Sequence, residues 1–287
     1  MTRALPVAAA VVALSALPSA QGMVFRAGAD AVVLDVTVQR GKAPVPGLRP
    51  DDFEVVDSGV PQVVTDVSYS RMPIDLRLVF DTSGSITDDQ LQRYLRAMMQ
   101  ITRSLQPTDR CDIVTFSTRV IELATLQAPP IAINLRRPLP RATSFFDAVG
   151  LSLVTARVDG RRQLTIVLSD ADDNTSFFDN EMMLEMARRT DAVVYTVTPV
   201  DAWQSDPDRG KIFRERLERL ARVTGGRAVP AETDVVPAFL GAIEEFRQSY
   251  VIMYTATGVP HGGYHSLTVG VRGQKSLAVR TRQGYTG

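Results

Sequence analysis

The sequence predicts an α/β protein: a doubly wound, mostly parallel sheet with helices on both faces, inserted in a small all-β domain formed by the N- and C-terminal flanks. Three observations predict this fold. Between residues 74 and 247, apolar strand-like runs alternate with amphipathic helical stretches, as in a parallel sheet covered on both faces. The segments on either side carry strand patterns only. Each flank is too small to bury a core alone, so we expect the two flanks to pair.

The domain limits follow these changes of pattern. We expect a signal peptide over residues 1–22, flanking strands over 23–72, the α/β domain over 73–248 and C-terminal strands over 249–287. In the first segment Arg3 precedes a short apolar stretch and then small residues, as in a secretory signal that is too short for a stable membrane span. We therefore expect a secreted, periplasmic or cell-envelope protein with no stable membrane span after signal removal.

Composition argues against several functional classes. The chain has 32 basic and 32 acidic residues, a formal net charge of zero and no concentrated basic stripe, so we expect no nucleic-acid binding. Its two histidines, His261 and His265, lie near the C-terminus, which argues against a Ser-His-Asp triad or a histidine-rich zinc site in the body of the chain. The single cysteine, Cys111, opens an apolar run and is expected to be an inert buried thiol.

The elements can be followed along the chain. Residues 31–39 alternate apolar and polar side chains, as a half-exposed strand does, and an Asp-Ser-Gly turn at 57–59 separates two further strands. The strand at 74–80 precedes a helix with an apolar stripe at helical spacing. Two apolar runs separated by only Ser117 and Thr118 are expected to be antiparallel. A helix, three strand–helix units and three strand-like stretches complete the chain.

Oxygen-bearing side chains follow two of the predicted parallel strands. Asp81 comes directly after the first strand of the α/β region, and Asp170 directly after the run "TIVLS". Both belong to the carboxyl edge of the sheet, where doubly wound folds build their sites. An extended backbone would point Ser83 and Ser85 to the side that Asp81 faces, and Gly84 would allow a tight turn into the helix. Two hydroxyls and two carboxylates at one point suit a hard cation such as Mg²⁺.

This arrangement resembles the metal-ion-dependent adhesion site of the von Willebrand factor type A domain, also called the integrin I domain. The family pattern is Asp-x-Ser-x-Ser, then a Thr in a second loop and an Asp in a third, and the resemblance covers residues 74–247. It implies the metal ligands Asp81, Ser83, Ser85, Thr143 and Asp170. In the family the hydroxyls bind Mg²⁺ or Mn²⁺, the carboxylates act largely through water, and one position stays open for a partner's acid.

The resemblance also implies a function. The flanks, including "APVPGLRPDDFEVVDSGVPQ", resemble those of a bacterial subgroup of secreted type-A-related proteins. We expect an exported protein-binding module for adhesion or scaffolding, not an enzyme, whose cation binds an exposed Asp or Glu of a partner protein. The alternative is a structural envelope module with a vestigial or purely stabilising metal site. One departure is Ala171, where the family often has Gly, and we expect it to tighten the third loop.

Neighbouring acids allow other interpretations. Asp88 and Asp89 could add an adjacent cation site, as in integrin β chains, but Thr87 and Gln90 form a capping-box pattern, which we favour. An aspartic protease is disfavoured. The two segments that resemble its Asp-Thr/Ser-Gly motif, at 57–59 and 81–84, lie too close together in the chain to belong to two separate lobes.

Two further features stay open at this point. Asp172 and Asp173 either add charge beside the site or solvate a loop, and we favour the loop. The only tryptophan, Trp203, would be able to anchor a partner if it were exposed.

Overall fold

A computed structural model describes most of the chain with side chains. The predicted signal peptide, residues 1–22, lies outside the described residues, and so does the beginning of the predicted N-terminal flank. Among the residues described, no helix is long and apolar enough to cross a membrane. The described residues are 31–69, 72–136, 142–154, 160–200, 202–203 and 206–286.

The described part of the N-terminal flank forms five strands. They are β1 (Ala31–Arg40), β2 (Ala43–Pro44), β3 (Phe53–Asp57), β4 (Val60–Gln62) and β5 (Val64–Tyr69). A short 3-10 helix over Pro50–Asp52 leads into β3. The predicted turn joins β3 to β4, and Ser58 and Gly59 there have φ angles of 48° and 84°. A positive φ costs Gly little conformational energy, and it allows the chain to reverse direction between β3 and β4.

Six of the described strands form the central sheet. They are β6 (Ile74–Asp81), β7 (Arg110–Phe116), β8 (Val120–Gln127), β9 (Arg162–Leu168), β10 (Val193–Pro199) and β11 (Ala228–Ala231). Their order across the sheet is β11-β10-β9-β6-β7-β8. Neighbours are parallel except β7 and β8, so the predicted antiparallel pair is confirmed. Strand β9 is buried along its whole length, because helices cover both faces of the sheet.

The helices of the described chain divide between the two faces. They are α1 (Asp88–Arg103), α2 (Phe145–Leu153), α3 (Asn180–Arg189), α4 (Pro207–Thr224) and α5 (Val236–Arg247). Helices α1 and α5 pack their apolar side chains on one face of the sheet, where Phe80 stacks on Phe239 at 5.2 Å between ring centroids. Helices α2, α3 and α4 form a second apolar core on the other face. The doubly wound fold is therefore confirmed.

The capping interpretation of the acids at the start of α1 agrees with the structure. The backbone N–H of Gln90 donates to the Thr87 hydroxyl at 3.2 Å, and the Thr87 N–H donates to the Gln90 side chain at 2.8 Å. Asp88 and Asp89 occupy the first turn, where the helix dipole favours negative charge.

The C-terminal strands pair with the N-terminal ones, as predicted. They are β12 (Tyr250–Thr255), β13 (Tyr264–Val271), β14 (Ala278–Arg280) and β15 (Gly284–Thr286). Strand β12 lies between β1 and β5 in one antiparallel sheet, and β13 pairs with β3 in another. The two sheets enclose a third apolar core. The limits at residues 72 and 248 stay predictions, whereas the pairing of the flanks is observed.

Polar contacts join the flanks to the α/β region. The Arg162 guanidinium on β9 donates to the Asp35 carboxylate on β1 at 2.7 Å and to the Ser249 hydroxyl at 2.5 Å. Cys111 is buried in β7 with a free thiol, and burial raises its pKa, which fits the inert role predicted for it.

Candidate metal centre

The first loop of the candidate site begins where β6 ends. Asp81 is buried, and both of its carboxylate oxygens accept hydrogen bonds: Oδ1 from the Ser83 backbone N–H at 2.9 Å and Oδ2 from the Ser169 hydroxyl at 2.8 Å. The hydroxyls of Ser83 and Ser85 lie 3.4 Å apart. Thr82 points the other way, since its hydroxyl donates to the Phe116 carbonyl at 2.9 Å. The predicted alternation of side-chain directions is therefore present: Ser83 and Ser85 lie on the side of Asp81, and Thr82 lies on the other side.

The third loop brings a second carboxylate to the same edge of the sheet. Asp170 follows β9 and accepts a hydrogen bond from the Asp172 backbone N–H at 3.1 Å. Burial raises the pKa of Asp170. Burial also raises the pKa of Asp81 to about 6, and the negative charge of Asp170 adds to this rise. The two carboxylates are thus close enough to repel each other in a desolvated site.

The residue after Asp170 adopts an unusual backbone conformation. Ala171 has a φ of 61° and is fully buried. This left-handed region favours Gly and costs other residues about 1–2 kcal/mol. At this position, where the family often has Gly, the chain holds an alanine in a conformation that favours glycine.

Side chains from the β10–α4 region hold the third loop from outside. The indole N–H of Trp203 donates to the Asp170 carbonyl at 3.1 Å, and Arg216 donates to the Ala171 carbonyl at 2.5 Å. The Arg216 guanidinium also lies 4.8 Å from the centre of the Phe146 ring. Trp203 is partly buried in this arrangement, which favours a supporting role over that of an exposed partner anchor.

The second loop is bonded directly to the third. Thr143 is buried; its backbone N–H donates to the Asn174 side chain at 2.9 Å, and its carbonyl accepts from the Asn174 N–H at 3.0 Å. Thr143 lies two residues before the start of α2, close to the predicted helix opening. The neighbouring Ser144 hydroxyl donates to the Ser117 carbonyl at 2.7 Å, which ties the loop to the end of β7.

The acids after Asp170 have structural partners. The Asp173 carboxylate accepts from the Phe146 backbone N–H at 3.0 Å, at the N-terminus of α2. Asp172 pairs with Arg209 at 2.8 Å. The prediction that these acids only solvate the loop is therefore wrong, because Asp173 binds the start of α2 and Asp172 pairs with Arg209 on α4.

The structure thus brings the three loops of the predicted site to one edge of the sheet and links them by hydrogen bonds. Among the described residues, no three Asp, Glu, His or Cys side chains gather in a metal-binding group. The candidate set has only two carboxylates, and hydroxyls make up the rest of it. A role in this set for each of Asp81, Ser83, Ser85, Thr143 and Asp170 stays a prediction.

Several supporting residues were not foreseen from the sequence. Ser169 directly precedes Asp170. Its contact with the site could have been predicted, since a hydroxyl at the end of a strand can reach the adjacent loop. Asn174 lies in the loop predicted after Asp170, so a contact with another loop of the site could also have been predicted. Arg216 lies 46 residues beyond Asp170 in the middle of a helix, and only the fold reveals its contact.

Comparison with known proteins decides the family. The sequence model described as von Willebrand factor type A domain matches residues 75–234, more than half of the chain. The chain belongs to the von Willebrand factor type A domain family. Domains of this family typically mediate protein–protein interactions and are generally not enzymes. No curated protein matches the chain at a significant level.

Several solved structures resemble this von Willebrand factor type A protein. Proximal thread matrix protein 1 from the mussel byssus is 13% identical, with a TM-score of 0.48 over 64% of this chain and 49% of that one, so the match spans about half of the byssus protein. An aerotolerance-related membrane protein of Bacteroides fragilis is 11% identical, with a TM-score of 0.46 over 60% and 98% of the two chains. The manganese-loaded TRAP protein of Plasmodium vivax is 17% identical, with a TM-score of 0.43 over 81% and 99%.

Proposed function

We propose that this type A protein is an exported, metal-dependent protein-binding module with no catalysis of its own. Its site would hold Mg²⁺ or Mn²⁺ and present the ion to an exposed Asp or Glu of a partner protein. Export is inferred from the signal peptide predicted at residues 1–22, and it would put the mature chain outside the cytoplasm or in the envelope.

The observation that carries the proposal is a pair of carboxylates at one edge of the sheet, that of the buried Asp81 and that of the partly buried Asp170. Within the described residues, neither forms a salt bridge with Arg or Lys, although the more distant charge of Arg209 favours the ionised form of Asp170. Two close negative charges without a bonded counter-ion are costly in a desolvated site. A divalent cation would offset that cost, so the charge balance of the site supports metal binding.

The chemistry of the remaining donors fits the same group of ions. Ser83, Ser85 and Thr143 would supply neutral hydroxyl oxygens, and Asp81 and Asp170 would act mainly from behind water. An all-oxygen set suits Mg²⁺ or Mn²⁺ rather than a thiophilic metal. When bound, a cation held by mostly neutral ligands supplies a positive centre that attracts a carboxylate.

The chain's own residues orient these donors. Ser169 and the Ser83 N–H fix both oxygens of Asp81, which leaves their outer lone pairs for water or metal. Asn174 fixes the backbone of Thr143. Preorganisation of this kind reduces the entropy that is lost when a ligand binds.

One observation favours the alternative, a structural envelope module. The carboxylate of Asp81 already joins two loops through its hydrogen bonds, so it would brace the sheet edge even with a vestigial or purely stabilising metal site. In that case chelation would lower stability without altering the binding of any partner.

Calorimetric titration of Mg²⁺ and Mn²⁺ into chelator-treated mature protein tests the proposal. We expect saturable binding in the wild type and its loss in Asp81→Ala and Ser83→Ala. Asp89→Asn is the matched control, because this acid lies in the first turn of α1 and is assigned to the helix dipole. Absence of binding in folded wild-type protein would overturn the metal-dependent function and favour the structural module.

A further inference from the structure

A cavity of about 330 Å³ lies where both flanks meet the α/β region. Strand β1 lines it from the N-terminal flank, the last turn of α3 from the α/β region, and the β12–β13 turn and β15 from the C-terminal flank. Helix α3 leads away from the third loop and reaches the cavity after 10 residues, about 15 Å, so the cavity is separate from the candidate metal centre. Small-molecule sites have volumes of about 300–1,000 Å³ and often lie between domains, which makes this cavity a candidate site.

Three arginines line this cavity: Arg188 and Arg189 at the end of α3, and Arg282 between β14 and β15. The side chain of Arg282 is only 11% exposed. Its Nε donates to the Gly284 carbonyl at 2.7 Å, and its Nη2 donates to the Arg188 carbonyl at 2.7 Å. Its Nη1 donates to no acceptor among the described residues, and the Asp191 carboxylate lies 4.0 Å from it. Burial lowers the pKa of Arg282, and the charge of Asp191 only partly offsets this effect.

The acids near these arginines leave many of their N–H donors unused. The Glu185 carboxylate lies outside the cavity lining and serves two arginines, Arg188 at 3.2 Å and Arg189 at 2.9 Å. Asp191 also lines the cavity, beyond hydrogen-bond distance of Arg282. A guanidinium carries five N–H donors in a planar fork, which matches the two oxygens of a carboxylate. Side-chain donors therefore outnumber side-chain acceptors on this side of the cavity.

The remaining wall of the cavity carries aromatic and apolar side chains. The rings of His265 and Tyr285 stack with their centroids 4.7 Å apart. The buried Asp57 carboxylate, behind the lining, fixes both rings: it accepts from the Tyr285 hydroxyl at 2.8 Å and lies 3.0 Å from Nδ1 of His265. Val32 and Val259 extend this wall. Because the wall is already held in place, a ligand that covers it loses less entropy on binding.

We propose that this cavity binds a small organic carboxylate. The head group pairs with the open edge of Arg282 and with Arg189, and the hydrocarbon part lies against Val32 and Tyr285. The two arginines lie at one end of the cavity because Arg282 bonds the carbonyl of Arg188, the neighbour of Arg189. Inorganic phosphate would also accept from these arginines, but it has no apolar part to cover the remaining wall. The site does not depend on the proposed metal-dependent function.

Calorimetric titration of the metal-free mature protein tests this site. Hexanoate, benzoate and phenylacetate are titrated, each beside its neutral amide, and inorganic phosphate is titrated separately. The chelator used to remove metal is itself removed first, because common chelators are carboxylates and would compete for the cavity. The absence of metal also prevents the probes from binding a cation at the candidate metal centre.

Four variants accompany the wild type, and thermal unfolding checks that each is folded. Arg282→Gln removes the buried charge, and Arg189→Gln removes a side chain that is 64% exposed and whose loss the fold should tolerate. Arg272→Gln is the matched control, because Arg272 is 68% exposed, lies 3.9 Å from Glu54 and is outside the cavity lining. Asp81→Ala reports any binding at the candidate metal centre.

We expect at least one carboxylate to bind the wild type saturably, and its amide about tenfold more weakly, because the amide lacks the charge that strengthens hydrogen bonds to arginine. Arg282→Gln and Arg189→Gln should each weaken the carboxylate about tenfold, while Arg272→Gln and Asp81→Ala bind it as the wild type does. If Arg282→Gln fails to fold, Arg189→Gln decides.

Several results would overturn the site. One is that no carboxylate binds the wild type, or that the amides bind equally well. Another is undiminished binding in Arg189→Gln. Binding of phosphate without any carboxylate would replace the organic ligand by an inorganic anion. Loss of carboxylate binding in Asp81→Ala would move the ligand to the candidate metal centre.

Discussion

The indole N–H of Trp203 donates a hydrogen bond of 3.1 Å to the backbone carbonyl of Asp170. The only tryptophan of the chain is thereby attached to the loop that carries a candidate metal ligand. Trp203 reaches this loop from the segment between β10 and α4. A change in the position of Asp170 must therefore alter the environment of the indole ring.

The first prediction follows from this contact. Mg²⁺ titration should change the tryptophan emission of the wild type, and the midpoint should agree with calorimetry. Trp203→Phe keeps most of the apolar contact but removes the donor, so we expect a loss of about 1 kcal/mol in the free energy of unfolding and a several-fold weaker Mg²⁺ affinity. An unchanged Mg²⁺ affinity in Trp203→Phe would show that the indole does not position Asp170.

The second prediction concerns the cost of placing the buried Asp81 carboxylate close to the partly buried Asp170 carboxylate. Asp81→Asn keeps the shape of the side chain and one of its two acceptor oxygens, and it removes the buried negative charge that the Asp170 carboxylate repels. In the absence of metal we expect the variant to be more stable than the wild type at pH 7, by on the order of 1–3 kcal/mol. Mg²⁺ should raise the melting temperature of the wild type but not that of Asp81→Asn.

Urea unfolding and thermal scans, each with chelator and with excess Mg²⁺, measure both effects. Asp89→Asn serves as control and should lose at most about 1 kcal/mol, through the helix dipole, without a change in metal response. A metal-free Asp81→Asn that is less stable than the wild type would mean that the carboxylate braces the loops more than it repels Asp170.

Much of the fold could be predicted from the sequence, because the patterns that indicate its strands, helices and turns involve residues close together in the chain. The apolar runs that became β6 and β9 and the apolar stripe of α1 depend on residues close together in the chain. The capping box at Thr87 and the turn after Asp57 are equally local. Pairing of the flanks was predictable because neither could bury a core alone.

The residues that hold the loops of the candidate site in place were harder to predict, because they contact these loops from distant parts of the chain. Asp173 binds the start of α2, and Arg216 binds a carbonyl from the middle of α4. Both contacts depend on how helices pack, which no short-range pattern encodes. The sequence marks Ala171 as a departure from the family pattern and suggests an effect on the third loop, but its positive φ is visible only in the structure.

The third prediction tests the strain at Ala171. Replacement by Gly removes the cost of a left-handed alanine, about 1–2 kcal/mol, but also loses the burial of one methyl group, about 0.8 kcal/mol, and loosens the unfolded chain. We expect these terms nearly to cancel, so Ala171→Gly should change the free energy of unfolding by less than about 1 kcal/mol. Ala187→Gly is the matched control, because Ala187 is equally buried in the same core but helical.

The control should lose about 1–2 kcal/mol, from the missing methyl and the poor helix propensity of Gly. Chemical denaturation of both variants measures the difference. Equal losses at the two positions would mean that the backbone at Ala171 is not strained in solution.

The fourth prediction concerns acid stability at the opposite end of the central sheet. Asp75, at the start of β6, accepts hydrogen bonds from the Arg110 side chain at 2.6 Å and from the Arg161 side chain at 2.6 Å. Burial alone would raise the pKa of Asp75, but these hydrogen bonds and the two positive charges outweigh it and lower the pKa below its ordinary value. The ionised form is thus stabilised by folding.

A carboxyl group whose pKa is lowered by folding stabilises the protein above its unfolded pKa, near 4, and this contribution is lost as the pH falls through the lower folded value. We therefore expect Asp75→Asn to cost about 1–3 kcal/mol at pH 7, because it removes the negative charge that pairs with Arg110 and Arg161 and one of the two oxygens that accept from them. The difference between wild type and variant should shrink below about pH 4, as the wild-type carboxylate takes up its proton. Urea unfolding of both proteins from pH 7 to pH 3 measures it, and a difference that stays constant over this range would show that the charge of Asp75 contributes nothing to stability.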